Sequence, residues 1–202
     1  MRILMVSPRT SGIGGVAAHV SKLVEFLERD GHEVVVISSE NTPIMPVKGL
    51  MNPSFAATST LKTLYYQLAR EKFDIVHAHN VPSTPAMRVA GGYRVLTLHG
   101  VYSEQIDYLH GSILGRLSKL AENWALKWAN RVTAVSSRVA KHYSRQGYNV
   151  VHIPNAIDLD DLPSDAKRLH DKQIVYNGRL SPEKGVDPVS YTHLTLPTIY
   201  SV

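Results

Sequence analysis

A glycine-rich loop near the amino terminus is the first segment whose residue types and spacing indicate chemistry. The run Ser11-Gly12-Ile13-Gly14-Gly15 separates an apolar segment from a segment with helical periodicity. Glycines at such a junction let the backbone approach a ligand closely, and the free N–H groups at the start of the helix favour an anion. We therefore predict that a phosphate or a sugar hydroxyl binds at Gly14 and Gly15. The alternative is a turn that only packs the helix against a sheet.

The same loop matches the dinucleotide-binding pattern G-x-G-x-x-A, so a nicotinamide-dependent oxidoreductase is an alternative. Two features argue against it. In that pattern the first glycine directly follows the strand, whereas residues 7–11 intervene here. The pattern also requires an acidic residue at the end of the second strand. This sequence has Ser38 and Ser39 there, with Glu40 only afterwards.

Three histidines lie in or directly after predicted strands. His99 and Gly100 follow an apolar run at the position where open α/β sheets bind ligands, and a histidine hydrogen-bonded to the backbone is the alternative. His77 and His79 share one face of an earlier strand. A His-x-His pair supplies only two metal ligands, and the sequence indicates no third one nearby. We therefore predict packing roles for this pair and no metal site.

The elements that position these residues follow from the alternation of apolar runs with segments of helical period. This alternation predicts an α/β fold with a Rossmann-like, doubly wound parallel sheet. The six predicted strands cover residues 3–6, 34–37, 74–79, 95–98, 132–135 and 150–153. Asn41–Thr60 contains three prolines and little periodicity, so it is predicted as a long loop that leads into a helix over Leu61–Arg70.

A longer helix is predicted from Gly115 to Arg131. One side of it carries the apolar residues Leu114, Leu117, Ala121, Trp124 and Trp128. Arg116, Lys119 and Lys127 are predicted on the opposite side. We expect the apolar side to face the core and the basic side to face solvent; a helix lying on a membrane surface is the alternative.

Composition narrows the classes of partner. The 202 residues carry a net charge of +5 and no cysteine, which rules out disulfides and thiolate metal sites and is consistent with a cytoplasmic protein. No segment reads as a membrane span or a signal peptide. The positive charge favours a phosphate-bearing donor or an anionic lipid surface. The basic residues form no dense block interleaved with aromatics, so we predict no binding to nucleic acid.

Six segments, in this order along the chain, resemble family 4 glycosyltransferases, which have the two-Rossmann-domain GT-B fold. They are Gly14–His19, Asp74–His79, Leu96–Gly100, Val132–Ser136, Ile153–Asp158 and Asn177–Gly185. The resemblance covers residues 1–187. It implies the acceptor-side half of an enzyme that transfers a sugar, with retention of configuration, from a nucleoside-diphosphate sugar to an acceptor hydroxyl. The acceptor would be a glycan, a lipid-linked molecule or a small molecule, with a role in cell-surface glycan or glycolipid synthesis.

The resemblance also implies roles for individual residues. His99 would be the catalytic residue and contact the hydroxyls of the transferred sugar, with Gly14 and Gly15 facing the same cleft. Arg179 and Lys184 would bind the donor diphosphate, where a guanidinium and an ammonium stabilise the negative charge that gathers on the leaving group. No metal or other cofactor is implied. The enzyme would act in the cytoplasm, with peripheral contact at the inner face of the membrane.

The predicted domain organisation has four parts. Residues 1–157 form the Rossmann-like acceptor-side domain, 158–171 a polar linker, and 172–187 the start of a truncated donor-binding domain. Residues 188–202 contain two prolines and no acidic or strongly basic residue. The codons of 189–198 can spell the transposase mosaic-end adapter of sequencing libraries, so we interpret 188–202 as an artefactual tail. We accordingly expect an incomplete, inactive fragment of a transferase, with a non-catalytic interaction module as the remaining alternative.

Overall fold

A six-stranded parallel sheet runs through the part of the chain that the computed structural model describes, residues 1–12, 14–47, 49–157 and 159. The strands are β1 (Arg2–Val6), β2 (Glu33–Ile37), β3 (Ile75–His79), β4 (Tyr93–Leu98), β5 (Arg131–Ala134) and β6 (Val150–His152). Their order is β2-β1-β3-β4-β5-β6, and every neighbouring pair is parallel. The predicted fold class is therefore confirmed. The compact unit that holds the sheet extends over Met1–Ile157.

The interior strand β1 shows how the sequence specifies a buried parallel strand. Its residues 3–6 are an unbroken apolar run, and all four are buried. Such a run suits a strand that is covered on both faces by crossover helices. The helices in the described chain are α1 (Gly15–Arg29), α2 (Met51–Leu68), α3 (Thr84–Val89), α4 (Tyr102–His110), α5 (Ser112–Trp128) and α6 (Ser137–Ser144). A 3-10 turn at Val81–Ser83 precedes α3.

The prediction of a long loop over Asn41–Thr60 is wrong, because α2 already begins at Met51. Pro53 lies in the first turn of this helix, where its missing N–H removes no intrahelical hydrogen bond. The buried face of α2 carries Phe55, Ser59 and Thr63. Ser59 and Thr63 are polar, and their hydroxyl groups donate hydrogen bonds to carbonyls of the preceding turn. Because the buried face is mostly polar, hydrophobic periodicity does not indicate where this helix begins.

The helix predicted from Gly115 to Arg131 is also different in the structure. Gly111, with a φ of 85°, separates the two helices α4 and α5, and α5 ends at Trp128. Most of the apolar side that we expected in the core faces outward: Leu117 is 58% exposed and Trp124 60% exposed, whereas Trp128 packs against the core as expected. The buried side of α5 consists of small and polar residues together with one leucine: Gly115, Ser118, Glu122, Ala125 and Leu126.

We call the exposed apolar residues of α5 the outer band, which consists of Ile113, Leu114, Leu117, Leu120 and Trp124. At about 100° per residue, Arg116 and Lys127 fall beside this band. The prediction that the basic residues lie opposite the apolar side is wrong for these two; Lys119 does lie on the far side of the helix, and all three are exposed. No helix in the described part of the chain has both the length and the apolar character needed to cross a bilayer.

Strand order locates the place where a ligand is expected. The chain turns from β1 to β2 on one side of the sheet and then continues from β3 to β6 on the other side. In open α/β sheets the crevice at such a reversal, outside the carboxyl ends of the strands, is the usual ligand site. The predicted linker (158–171), donor-domain start (172–187) and tail (188–202) lie outside the described residues, apart from Leu159.

Candidate functional site

The glycine loop connects the carboxyl end of β1 to the start of α1, at the reversal of the sheet. Gly14 is the N-cap of α1 with φ 154° and ψ 147°, and Gly15 is the first helical residue. Among the described residues, no atom lies within 4 Å of the position that a Cβ would take at either glycine. The first turn of α1 contains no acidic residue. The space in front of these glycines is therefore open to a ligand, and the helix start favours an anionic one.

Glu40 holds the loop in place from the end of β2. Its Oε1 accepts hydrogen bonds from the backbone N–H groups of Thr10, at 3.1 Å, and Ser11, at 3.2 Å. Burial by itself would raise the pKa of this carboxyl, but hydrogen bonds with Ser38, Thr10 and Ser11 outweigh that effect and lower the pKa to about 2. The carboxylate is thus engaged by the loop. This weakens the oxidoreductase alternative, which needs a free acid at this position for a ribose.

Four histidines meet beside the loop, and we call them the histidine cluster: His19 on α1, His77 and His79 on β3, and His99 directly after β4. The Nδ1 atom of His79 lies 3.1 Å from Nε2 of His99. The His19 ring packs edge-on against both of these rings, with centroids 5.5 Å from His79 and 5.1 Å from His99. His77 stacks on His79 at 4.4 Å, and its Nε2 is hydrogen-bonded to Oγ1 of Thr97 at 2.7 Å.

The imidazoles of the cluster are neutral near pH 7. Burial, followed by repulsion from His19, lowers the pKa of His99 to about 4. Burial and the neighbouring rings lower the pKa of His77 to about 4 and hold that of His79 well below its usual range. Burial also lowers the pKa of His19. A neutral imidazole has one donor and one acceptor nitrogen, which suits a sugar hydroxyl.

Asn80 orients His99 from the end of β3. Its Oδ1 accepts the backbone N–H of His99 at 3.1 Å, and its own N–H donates to the carbonyl of Thr97 at 3.0 Å. Asn80 has φ 62° and ψ 165°, a backbone region that is almost restricted to glycine. Such a conformation costs about 1–3 kcal/mol and is most often found at functional sites.

An apolar cavity of about 440 Å³ opens next to the segments that follow β1 and β2. The residues after β1 and β2 form one wall, the start of α2 a second, and α4 with α5 a third. The side chains that line it include Pro8, Arg9, Phe55, Tyr102, Ile106, Leu114 and Leu117. Leu114 and Leu117 also belong to the outer band, so the cavity wall is continuous with the exposed apolar face of α5.

The predicted site residues are partly brought together by the fold. Gly14 and Gly15 begin the helix whose His19 contacts His99. Arg179 and Lys184 lie outside the described residues. Sequence reasoning missed the contribution of His19, although it lies in the Gly-Gly-Val-x-x-His segment. It also missed Asn80. The one sequence feature that could have indicated its role is its position as a polar residue directly after a buried strand. Of the His-x-His pair, His79 is grouped with imidazoles from two other elements, His19 on α1 and His99 after β4.

The chain belongs to glycosyltransferase family 4, because a sequence model of that family matches residues 13–161. It is 27% identical to one subunit of the human phosphatidylinositol N-acetylglucosaminyltransferase, over 88% of this chain and 41% of the relative. It is also 27% identical to the phosphatidyl-myo-inositol mannosyltransferase of Mycobacterium tuberculosis, over 92% of this chain and 54% of the relative. The chain thus spans about half the length of these curated relatives.

A solved structure supports the fold. The catalytic domain of starch synthase IV from Arabidopsis thaliana, bound to ADP and acarbose, superposes with a TM-score of 0.52 at 12% identity. The match covers 78% of this chain and 52% of that structure. At this identity the likeness concerns the fold alone, and it agrees with the Rossmann-like sheet described above.

Proposed function

We propose that this chain is the acceptor-side domain of a transferase that moves a sugar from a nucleoside diphosphate onto a hydroxyl of a phosphatidylinositol-type lipid at a membrane surface. The observation that carries the proposal is the double role of Leu114 and Leu117, which line the cavity and belong to the outer band. A lipid-linked acceptor held at the outer band would extend along this apolar wall into the cavity.

Charge supports an anionic acceptor. Arg9 lines the cavity and is exposed, while Arg116 and Lys127 flank the outer band. An apolar stripe bordered by basic residues is the pattern of helices that lie in the interface of anionic membranes. The two relatives named for phosphatidylinositol substrates agree with this choice of lipid. The proposed location is peripheral, on the cytoplasmic face of the membrane.

The chemistry proposed is transfer with retention of configuration and without a metal. His99 would hydrogen-bond hydroxyls of the transferred sugar, and the N–H groups at Gly14 and Gly15 would bind a phosphate or hydroxyl. Arg179 and Lys184 would stabilise the departing diphosphate by charge, with no proton transfer needed. We assign no protein nucleophile. Attack from the front face, assisted by the leaving phosphate, is the proposed route.

Co-sedimentation with vesicles tests the membrane part of the proposal. We expect the chain to bind phosphatidylcholine vesicles that contain phosphatidylinositol, and to bind pure phosphatidylcholine vesicles more weakly. Leu120→Gln in the outer band should reduce binding, because it places an amide where apolar contact is needed. The matched control is Leu68→Gln on α2, a leucine that is 84% exposed outside the band. Equal binding of both variants would contradict the proposed membrane face.

Transfer is tested on the polypeptide that the genomic reading frame encodes beyond Asp187. We expect incubation with labelled nucleotide sugars and phosphatidylinositol to yield a labelled glycolipid, and His99→Ala to reduce the yield. A stop codon directly after Asp187 would contradict a working transferase. A fluorescence titration with the reduced nicotinamide cofactor tests the oxidoreductase alternative, for which saturable binding is required.

A further inference from the structure

The histidine cluster contains a triangle of imidazoles in addition to the stacked pair identified in the sequence. One ring nitrogen from each of His19, His79 and His99 lies within 4.8 Å of the other two. The three ring centroids are 5.1 Å to 5.5 Å apart, so the triangle is almost equilateral. Each ring comes from a different element, namely α1, β3 and the residue after β4. The triangle is therefore a product of the fold and not of local sequence.

The spacing of the triangle resembles that of a zinc site. Imidazole nitrogens bound to a tetrahedral Zn²⁺ at 2.0–2.1 Å lie about 3.4 Å from one another. Nδ1 of His79 and Nε2 of His99 are already 3.1 Å apart. A ring nitrogen of His19 lies within 4.8 Å of these two, and the His19 side chain is partly exposed, so it has room to change rotamer. Binding of one ion by all three imidazoles requires such a movement of His19.

Burial and chemistry also favour a metal ligand set. His79 is fully buried, and its other nitrogen contacts the sulfur of Met5 at 3.1 Å, which fixes the orientation of the ring. His19 and His99 are partly exposed, so an ion can enter from solvent. Three imidazoles with an open fourth position are one of the recurrent ligand sets of zinc.

We propose that His19, His79 and His99 bind a Zn²⁺ ion, or a divalent ion with the same preference for nitrogen ligands, and leave a fourth position for water. The binding does not depend on the proposed transfer reaction. If that reaction is also correct, the ion and the transferred sugar compete for the side chain of His99. Zinc is then an inhibitor of transfer and not a cofactor, so metal-free transfer and zinc binding are compatible.

Isothermal titration of the metal-free full chain with ZnCl₂ tests the site. We expect saturable binding by the wild type and by His152→Ala, which removes an exposed histidine at the end of β6. Loss of a residue that only supports a metal ligand typically lowers metal affinity by roughly 10–100-fold. Loss of a ligand in His19→Ala or His99→Ala should cost at least as much. Circular dichroism confirms that the variants fold; His79 is left intact because it is buried.

Two further readouts separate this site from other sources of binding. Co²⁺ in place of Zn²⁺ should give the intense visible absorption of a four-coordinate site, and His19→Ala should abolish it. Mg²⁺ should not compete, because it prefers oxygen ligands. Zinc affinity that is unchanged in both His19→Ala and His99→Ala would overturn the site. The failure of lipid binding or sugar transfer would overturn the proposed function while leaving the zinc site intact.

Discussion

At the scale of single residues, Asn80 shows how backbone geometry and the position of His99 are linked. The Oδ1 atom of Asn80 accepts the N–H of the first residue after β4, so it joins the ends of two neighbouring strands. The residue keeps a conformation that glycine adopts more easily. An unfavourable backbone conformation persists only where the surrounding contacts hold it, and here those contacts fix the position of His99.

Substitutions at Asn80 separate its strain from its hydrogen bond. Asn80→Ala should lower the free energy of unfolding by about 1–3 kcal/mol, because the acceptor for the His99 N–H is lost while the backbone strain is not relieved. Asn80→Gly loses the same acceptor but relieves the strain, so it should be less destabilising. Urea denaturation at neutral pH measures both variants. Equal stability of the alanine and glycine variants would show that the backbone conformation is not strained.

Glu40 gives a pH-dependent prediction at the same scale. Its pKa is about 2 in the folded chain and 4.5 in its ordinary state, so it stabilises the fold fully above about pH 4.5. That contribution is lost as the pH falls through 4.5 towards 2, because the unfolded chain then takes up the proton first. Glu40 is exposed, so solvent screening limits the effect to about 1 kcal/mol or less.

The difference in free energy of unfolding between wild type and Glu40→Gln measures this contribution. We expect the difference to be largest above pH 4.5 and to shrink towards pH 2. Other carboxyl groups titrate equally in both proteins and cancel in the comparison. A difference that stays constant with pH would mean that Glu40 acts by packing and not by its charge.

At the scale of elements, the strands, α1 and the second half of α2 follow from the sequence, whereas the first half of α2 and the orientation of α5 do not. Strands in a parallel sheet are continuous apolar runs, and α1 has a clear apolar stripe. In α2 the buried face is rich in hydroxyl groups, so the apolar pattern is absent. In α5 the pattern is present, but it marks the exposed face. Periodicity identifies two faces of a helix and does not say which of them is buried.

The candidate site, like the helices, could be predicted only in part from the sequence. Gly14, Gly15 and His99 are visible in the sequence because each lies at the boundary between a strand and the next segment. The cavity is not visible, since its walls come from segments between residues 8 and 118 that only the fold brings together. The partnership of His19 with His99 is missed for the same reason: the two residues are close in space and 80 positions apart in the sequence.

Glu122 explains how a polar residue comes to lie on the buried face of α5. It is 2% exposed and accepts hydrogen bonds from the N–H of Tyr102 at 3.0 Å and the hydroxyl of Ser103 at 2.7 Å. The hydroxyl of Tyr143 on α6 also donates to it. Burial and this carboxylate raise the pKa of Tyr143. Glu122 thereby caps the start of α4 and connects α4, α5 and α6.

Loss of Glu122 should destabilise the domain strongly. Glu122→Ala leaves buried donors without an acceptor, and we expect a loss of about 2–3 kcal/mol in the free energy of unfolding. The matched control is Glu104→Ala, which removes an exposed ion pair with Arg138 and should cost about 0–1 kcal/mol. Thermal and urea denaturation measure both. If the two variants lose the same stability, Glu122 does not act as a buried acceptor.

At the scale of the whole molecule, the described strands and helices all belong to the compact unit Met1–Ile157. The sheet, its core and the candidate site lie within it. A domain of this size buries enough apolar surface to fold without further support. We therefore predict that a chain of residues 1–157 folds on its own.

The fold of residues 1–157 is measured by circular dichroism and urea denaturation, with the full chain as the reference. We expect cooperative unfolding with a midpoint close to that of the full chain. The zinc titration gives a second readout, since all three proposed ligands are retained. Non-cooperative unfolding of the shorter chain would show that residues beyond 157 are required for the fold.

The close packing of α4 against α5 limits which positions of α5 can be substituted in the course of evolution. A Cβ added to Gly115 would come within 2.8 Å of Asp107, so the inner side of α5 tolerates little variation. The outer band is more tolerant of substitution, because its side chains point away from the core. The two faces of one helix are therefore open to separate selection. Related proteins can adapt the outward face to a new surface by exchanging a few side chains, while the architecture beneath stays the same.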